Sequence, residues 1–184
     1  MEQRIFNETE GKMKKTVDAV RKELASLRTG RASVSLLEGI KVEYYGNLMP
    51  VNQVAQISIP EPKAIEIKPW DKNMIPEIEK AISKSNLGLS TANDGAVIRL
   101  GIPPLTGERR QELCRVVKKV GEDGKISIRN SRHEGNTALD AAEKNKQISE
   151  DSLRKSRIHM QKLTDQYISE VDLLVANKEK EILG

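Results

Sequence analysis

The chain has 184 residues, enough for one large domain or two small ones. Charged residues make up 32% and aromatics 3%, with one Phe, one Trp and three Tyr, which excludes an aromatic core and points to the Leu, Ile, Val and Ala packing of helix bundles. The single cysteine, Cys114, excludes an intrachain disulfide and suits a reducing compartment, and the net charge of +4 permits a nucleic-acid partner without demanding one.

Residues 2–29 read as a helix. Phe6, Met13, Val17, Val20, Leu24 and Leu27 recur at 3–4 spacing and make an apolar seam. Gly30 is the expected stop, with Arg28 in the last turn satisfying carbonyls. Residues 31–104 change character. Ile40–Tyr45 is β-rich and runs into the turn pair Gly46-Asn47. Val54–Ile59 and Ala64–Lys68 are strand candidates separated by Pro60-Glu-Pro62. Asn73 is expected to cap a helix running to about Ser85, with Pro76 tolerated in its first turn. Thr91–Gly95 reads as a turn and Val97–Leu100 as a last strand. Eight basic and eight acidic residues leave this segment neutral.

Pro103-Pro104 marks the return to helix, with Thr106 as cap. From there to about Asn145 the spacing predicts one helix of ~60 Å. Leu113, Val116, Val117, Val120, Ser131, Ala138 and Ala142 form its apolar side. Arg115, Lys118, Lys125, Arg129 and Arg132 span about a 100° arc centred ~145° from that side. Segment 109–132 holds eight basic and three acidic residues, a net of +5, so the charge excess of the chain is concentrated here. Gly121, Gly124 and Gly135 lie inside the run and each costs about 1 kcal/mol against Ala. The apolar stripe keeps its phase on both sides of them, so one unbroken helix is expected, with bending at 121–124 as the alternative. Ser149 then caps a last helix, whose seam is Met160, Leu163, Tyr167, Val171, Leu174 and Ile182.

The architecture follows from the seams. The fold class is α+β: an antiparallel three-helix bundle, residues 1–30 and 105–184, carrying an inserted small β/α/β domain, residues 31–104. Gly30-Arg31 and Pro103-Pro104 are the two crossings and the expected hinge. No apolar run is long enough to span a bilayer and the first residues lack the apolar stretch of a signal peptide, so a cytoplasmic protein, expected to be a monomer, is predicted.

Catalysis is not indicated. His133 and His159 sit on different helices, no ligand set has metal spacing, and no Gly-rich phosphate loop is present, so neither enzyme activity nor a cofactor or metal is expected. Trp70 is expected in the core or hinge. The basic stripe is the feature that asks for a partner. Three of its five cations are arginines, whose planar fork suits phosphate. Acids enter the stripe only at Glu122, so pairing within the helix does not explain it. No aromatics interleave it, which favours reading of backbone and shape in folded RNA over stacking on single strands. A coiled-coil structural or chaperone-like module is the competing class.

Leu27-Arg-Thr-Gly-Arg-Ala-Ser33, Glu43-Tyr-Tyr-Gly46, Pro103-Pro-Leu-Thr106 with Glu108-Arg-Arg110, Ile128-Arg-Asn-Ser-Arg132, Ile148-Ser-Glu-Asp151 and Lys162-Leu-Thr-Asp165 resemble the ribosome recycling factor family. The six motifs span essentially the whole chain in order. The resemblance implies an L-shaped molecule with the domains just derived. It implies binding to the large ribosomal subunit after termination and, with elongation factor G and GTP, splitting of the complex and release from mRNA. Arg129 and Arg132 match the family's ribosomal RNA contacts, and Arg28 and Arg31 match others near the hinge. The sequence departs from the family pattern at His133, where relatives often carry Arg, and at Gly121, Gly124 and Gly135.

Overall fold

The computed structural model describes residues 1–184. In chain order the elements are α1 (Glu2–Ser26), β1 (Lys41–Tyr44), β2 (Asn47–Pro50), the one-turn α2 (Val51–Val54), β3 (Ala55–Glu61), β4 (Ala64–Pro69), α3 (Ile75–Lys84), β5 (Ser90–Asn93), β6 (Ile98–Gly101), α4 (Gly107–Lys144) and α5 (Glu150–Leu183). They divide into two compact units, Met1–Thr29 with Gly107–Gly184, and Gly30–Thr106. No helix is long and apolar enough to cross a membrane.

The first unit is a bundle of α1, α4 and α5. Gly135 of α4 lies against Thr9 and Met160, and Gly124 against Val20 and Val171. Numbers rise along α1 and α5 as they fall along α4, so α4 runs antiparallel to both. Two polar bonds set the register of α1 against α5, Ser156 donating to Glu2 at 2.6 Å and Tyr167 to Glu10 at 2.7 Å, and just past α1 Thr29 donates to Glu181 at 2.9 Å. The buried positions of α1 are Ile5, Thr9, Met13, Val17, Val20 and Leu24. Ile5 rather than Phe6 takes the first seat, and Phe6 stacks edge-on against His159. The helix ends at Ser26, because Leu27 is extended and Thr29 turns inward to reach Glu181, so Arg28 lies beyond the last turn. At the other reversal Ser149 caps α5, its hydroxyl accepting from the Ser152 amide at 3.1 Å.

α4 is unbroken over 38 residues, and the glycines are why the bundle closes around it. A Cβ on Gly124 would lie 2.5 Å from Val20 Cγ2, one on Gly135 2.7 Å from Thr9 Oγ1, and one on Gly121 would overlap Val175 Cγ2. Neighbouring side chains fill the places where a Cβ would be. The buried set is Leu113, Val117, Val120, Gly121, Gly124, Ile128, Ser131, Gly135, Leu139 and Ala142. Val116 and Ala138, expected on the apolar side, are exposed. Counting the glycines moves the buried arc, so that its centre lies about 110° from the basic group at 100° per residue.

The second unit pairs β1 with β2 as a hairpin and orders its four-stranded antiparallel sheet β3-β4-β6-β5. Tyr44 pairs with Asn47, so the turn is Tyr45-Gly46, both with positive φ (46° and 83°), one residue earlier than the expected Gly46-Asn47. Ile65 and Ile67 of β4 and Ile98 and Leu100 of β6 are fully buried on one face, against Ile78 of α3 and Val42 of β1. Asp71, not Asn73, opens the helical segment: its carboxylate accepts from the Asn73 amide at 2.9 Å, a 3-10 turn follows, and α3 begins with proline in its first turn. The expected turn at Thr91–Gly95 is largely strand β5, and the reversal sits at Asp94-Gly95, where Asp94 accepts from the amides of Ala96 and Val97.

Candidate nucleic-acid interface

The five cations of α4 expected to meet RNA project from one long helix that is buried on another side, along α1 and α5. Lys118, Lys125 and Arg132 are seven residues apart, two helical turns, and so fall in a nearly straight row. Arg129 lies between the last two, and Arg115 extends the row toward the helix start. Because the buried arc is rotated toward this row, Lys125 and Arg132 lie at the edge of the contact with α5, and the Lys125 side chain keeps only 22% of its exposure.

Four of the five cations, Lys118, Lys125, Arg129 and Arg132, have partners that their own helix pattern does not announce. Lys118 meets Glu179 at 3.5 Å and Lys125 meets Asp172 at 3.1 Å, both acids on α5. Arg132 donates to Gln161 at 2.9 Å, and Gln161 in turn donates to Asp165 at 2.8 Å. Within α4, Glu122 takes Lys125 at 3.3 Å and Arg129 at 3.2 Å. Further along, Asp140 of α4 pairs with Arg157 of α5 at 2.5 Å. A sequence signal for this ladder exists: Asp165, Asp172 and Glu179 also repeat every seventh residue, the antiparallel complement of 132, 125 and 118. The pairing registers in the charges. The hydrogen bonds that Lys125 donates to Asp172 and Glu122 raise its ammonium pKa, and Arg129, then Lys125, hold the Glu122 carboxyl below its ordinary range.

The other predicted residues lie off this row. Arg28 and Arg31 are exposed in the connection after α1. Around them the chain is tied at defined points. The buried Thr29 is held by Glu181, and the Ala32 amide donates to Pro62 O at 2.7 Å. Between these ties stand Gly30, with φ +74°, and Arg31. On the return, the Ile102 amide donates to Lys63 O at 2.9 Å, next to that same Pro62, and Pro103 and Pro104 follow. Leu105 then packs against Gly30, where a Cβ would lie 3.0 Å from Leu105 Cγ. Trp70 is 70% exposed rather than buried, beside Asp71, which accepts a bond from Tyr45. His133 and His159 are exposed, Cys114 is half-buried, and no cluster of three or more His, Cys, Asp or Glu could hold a metal ion.

The fold and the sequence can be set beside known proteins. The sequence model described as ribosome recycling factor matches residues 20–183. The chain belongs to the ribosome recycling factor family. The ribosome-recycling factor of Carboxydothermus hydrogenoformans is 51% identical over 184 residues, covering all of both chains. That of Pelotomaculum thermopropionicum is 51% identical over 179 residues, 97% of each chain, and that of Bacillus licheniformis 48% over 183 residues, 100% of this chain and 99% of the relative. A solution structure of a ribosome recycling factor superposes with a TM-score of 0.72 at 46% identity, covering 99% of this chain and 97% of that one. A second structural relative is a model of the T. thermophilus ribosome recycling factor and E. coli elongation factor G bound to the E. coli post-termination complex. It gives a TM-score of 0.65 at 41% identity with full coverage of both chains. The family is one of translation factors, not of enzymes.

Proposed function

We propose that this chain recycles ribosomes in the cytoplasm by docking on ribosomal RNA of the large subunit. As a monomer it binds the post-termination ribosome and, with elongation factor G and GTP, splits it and frees it from mRNA. Family membership and full-length likeness to ribosome-recycling factors support this, as does the structural relative described on a post-termination complex with elongation factor G. The observation that carries the RNA contact is the row on α4: Arg115, Lys118, Lys125, Arg129 and Arg132 share one side of one unbroken helix, where they can neutralise phosphates together. Arg28 and Arg31 add cations at the connection. Gly30, Arg31, Pro103 and Pro104 serve as the hinge, since the ties at Thr29, Ala32 and Ile102 confine rotation to the few residues between them.

Cosedimentation with purified large subunits over a salt series tests the contact. Binding falls steeply with salt if phosphates are neutralised, and the slope shrinks when Arg129 and Arg132 are both replaced by Ala. Salt-insensitive binding, or an unchanged slope in a folded double variant, overturns it.

A further inference from the structure

Resting on that reading, we infer that the carboxylates lining the α4 row, Asp172 and Glu179 of α5 with Glu122 of α4, occupy in the free protein the acceptor positions that RNA phosphates take on binding. They act as built-in competitors that limit affinity. Carboxylate and phosphate oxygens accept from the same N–H donors. Lys125 has two carboxylates on its ammonium, at 3.1 and 3.3 Å, and Lys118 has one at 3.5 Å. Glu122, Lys125, Arg129 and Asp172 together carry two positive and two negative charges, so an incoming phosphate meets a group of zero net charge. The acids around Lys125 are open to solvent. Asp172 and Glu122 keep 57% and 52% of their side-chain exposure, and ion pairs of this kind hold weakly. Glu179 keeps 26%, and its partner Lys118 keeps 70%. The acids of α5 repeat with the same seven-residue spacing as the cations, so the competition runs along the row rather than at one point.

The experiment compares Asp172→Asn, Glu179→Gln and their double variant with the unaltered protein for affinity to purified large subunits at fixed salt. Asp151→Asn is the control of equal charge change, since Asp151 pairs only with Arg154 and Lys155 of its own helix. Each row variant should bind about two- to fivefold tighter, the range expected for releasing one exposed ion pair, and the double variant tighter still. The gain should shrink as salt screens it. Asp151→Asn should leave affinity close to wild type. Unchanged or weaker binding by both single variants, with circular dichroism intact, overturns the inference. So does an equal gain from Asp151→Asn, which would make the effect one of net charge. Arg129→Ala with Arg132→Ala separates the two levels. If that pair fails to weaken binding, the RNA interface itself is wrong; if it weakens binding while the acid variants gain nothing, only the competition is wrong.

Discussion

Gly124 of α4 faces Val20 of α1 so closely that a Cβ at 124 would stand 2.5 Å from Val20 Cγ2. Valine is stiff at χ1 and cannot rotate away at small cost. Gly124→Ala should therefore destabilise the protein by about 1–3 kcal/mol through overpacking, although alanine is the better helix former. Gly11 supplies the contrast. It lies inside α1 with nothing within 4 Å of its would-be Cβ, so Gly11→Ala should stabilise by about 0.5–1 kcal/mol. Denaturant midpoints moving the same way for both would show that propensity alone governs, and the closeness of α1 and α4 would lose its energetic meaning.

Arg132 donates to Gln161 from the edge of the α4–α5 contact and is half-buried. Replacing it by Ala removes a charge-assisted donor, and large-subunit affinity should fall by about 1–3 kcal/mol. Gln161→Ala removes the bond but keeps the charge. It should change affinity much less. Equal losses from both would mean that Arg132 matters by bracing α5, not by meeting phosphate.

Tyr167 donates to Glu10 at 2.7 Å, and each group shifts the other. The Glu10 carboxyl is held low by the Tyr167 hydroxyl first and Lys14 second. A lowered folded-state pKa contributes stability that is complete above the ordinary value of 4.5 and is lost as pH falls through the lower folded value. The phenol is pushed up by burial and then by Glu10, so its contribution is complete below the ordinary 10.0 and is lost as pH rises beyond it. Tyr167→Phe should cost about 1 kcal/mol at neutral pH, and the deficit should narrow in acid below pH 4.5. Urea titrations of both proteins at pH 7 and in acid check this. A deficit independent of pH would assign the loss to packing.

Much of the bundle was legible because its seams repeat: Met13, Val17, Val20 and Leu24 on α1 and Met160, Tyr167 and Val171 on α5 are buried as their spacing requires. Ser149 was legible as a cap because its hydroxyl acts within three residues. The glycines of α4 were not legible as contacts, because a residue without a side chain adds nothing to an apolar pattern. Leaving them out displaced the buried face toward Val116 and Ala138. Strands β2 and β5 escaped notice because each has four residues and almost no burial, so no alternation marks them. The five cations could be read from α4 alone. Their partners could not, since Lys125 and Asp172 are joined by the fold and lie far apart in sequence.

The connection between the units offers the sharpest separation of binding from mechanism. Thr29 is fixed to Glu181 and Ala32 to Pro62, so in the proposed hinge Gly30 and Arg31 are the residues that absorb rotation on that side. Gly30 sits at φ +74°, open to glycine at little cost, with Leu105 of the return segment pressed against it. A β-branched residue there would be strained by about 1–3 kcal/mol in its present conformation and would crowd Leu105. Gly30→Val should therefore shift or stiffen the pivot while leaving the α4 row untouched. The variant should cosediment with large subunits almost as the unaltered protein does. It should split post-termination ribosomes more slowly with elongation factor G and GTP. Loss of both properties would indicate a folding defect, which the denaturant midpoint would reveal. Splitting at the normal rate by a folded Gly30→Val protein would mean that rotation at this residue is not part of the mechanism, and that docking through α4 is enough.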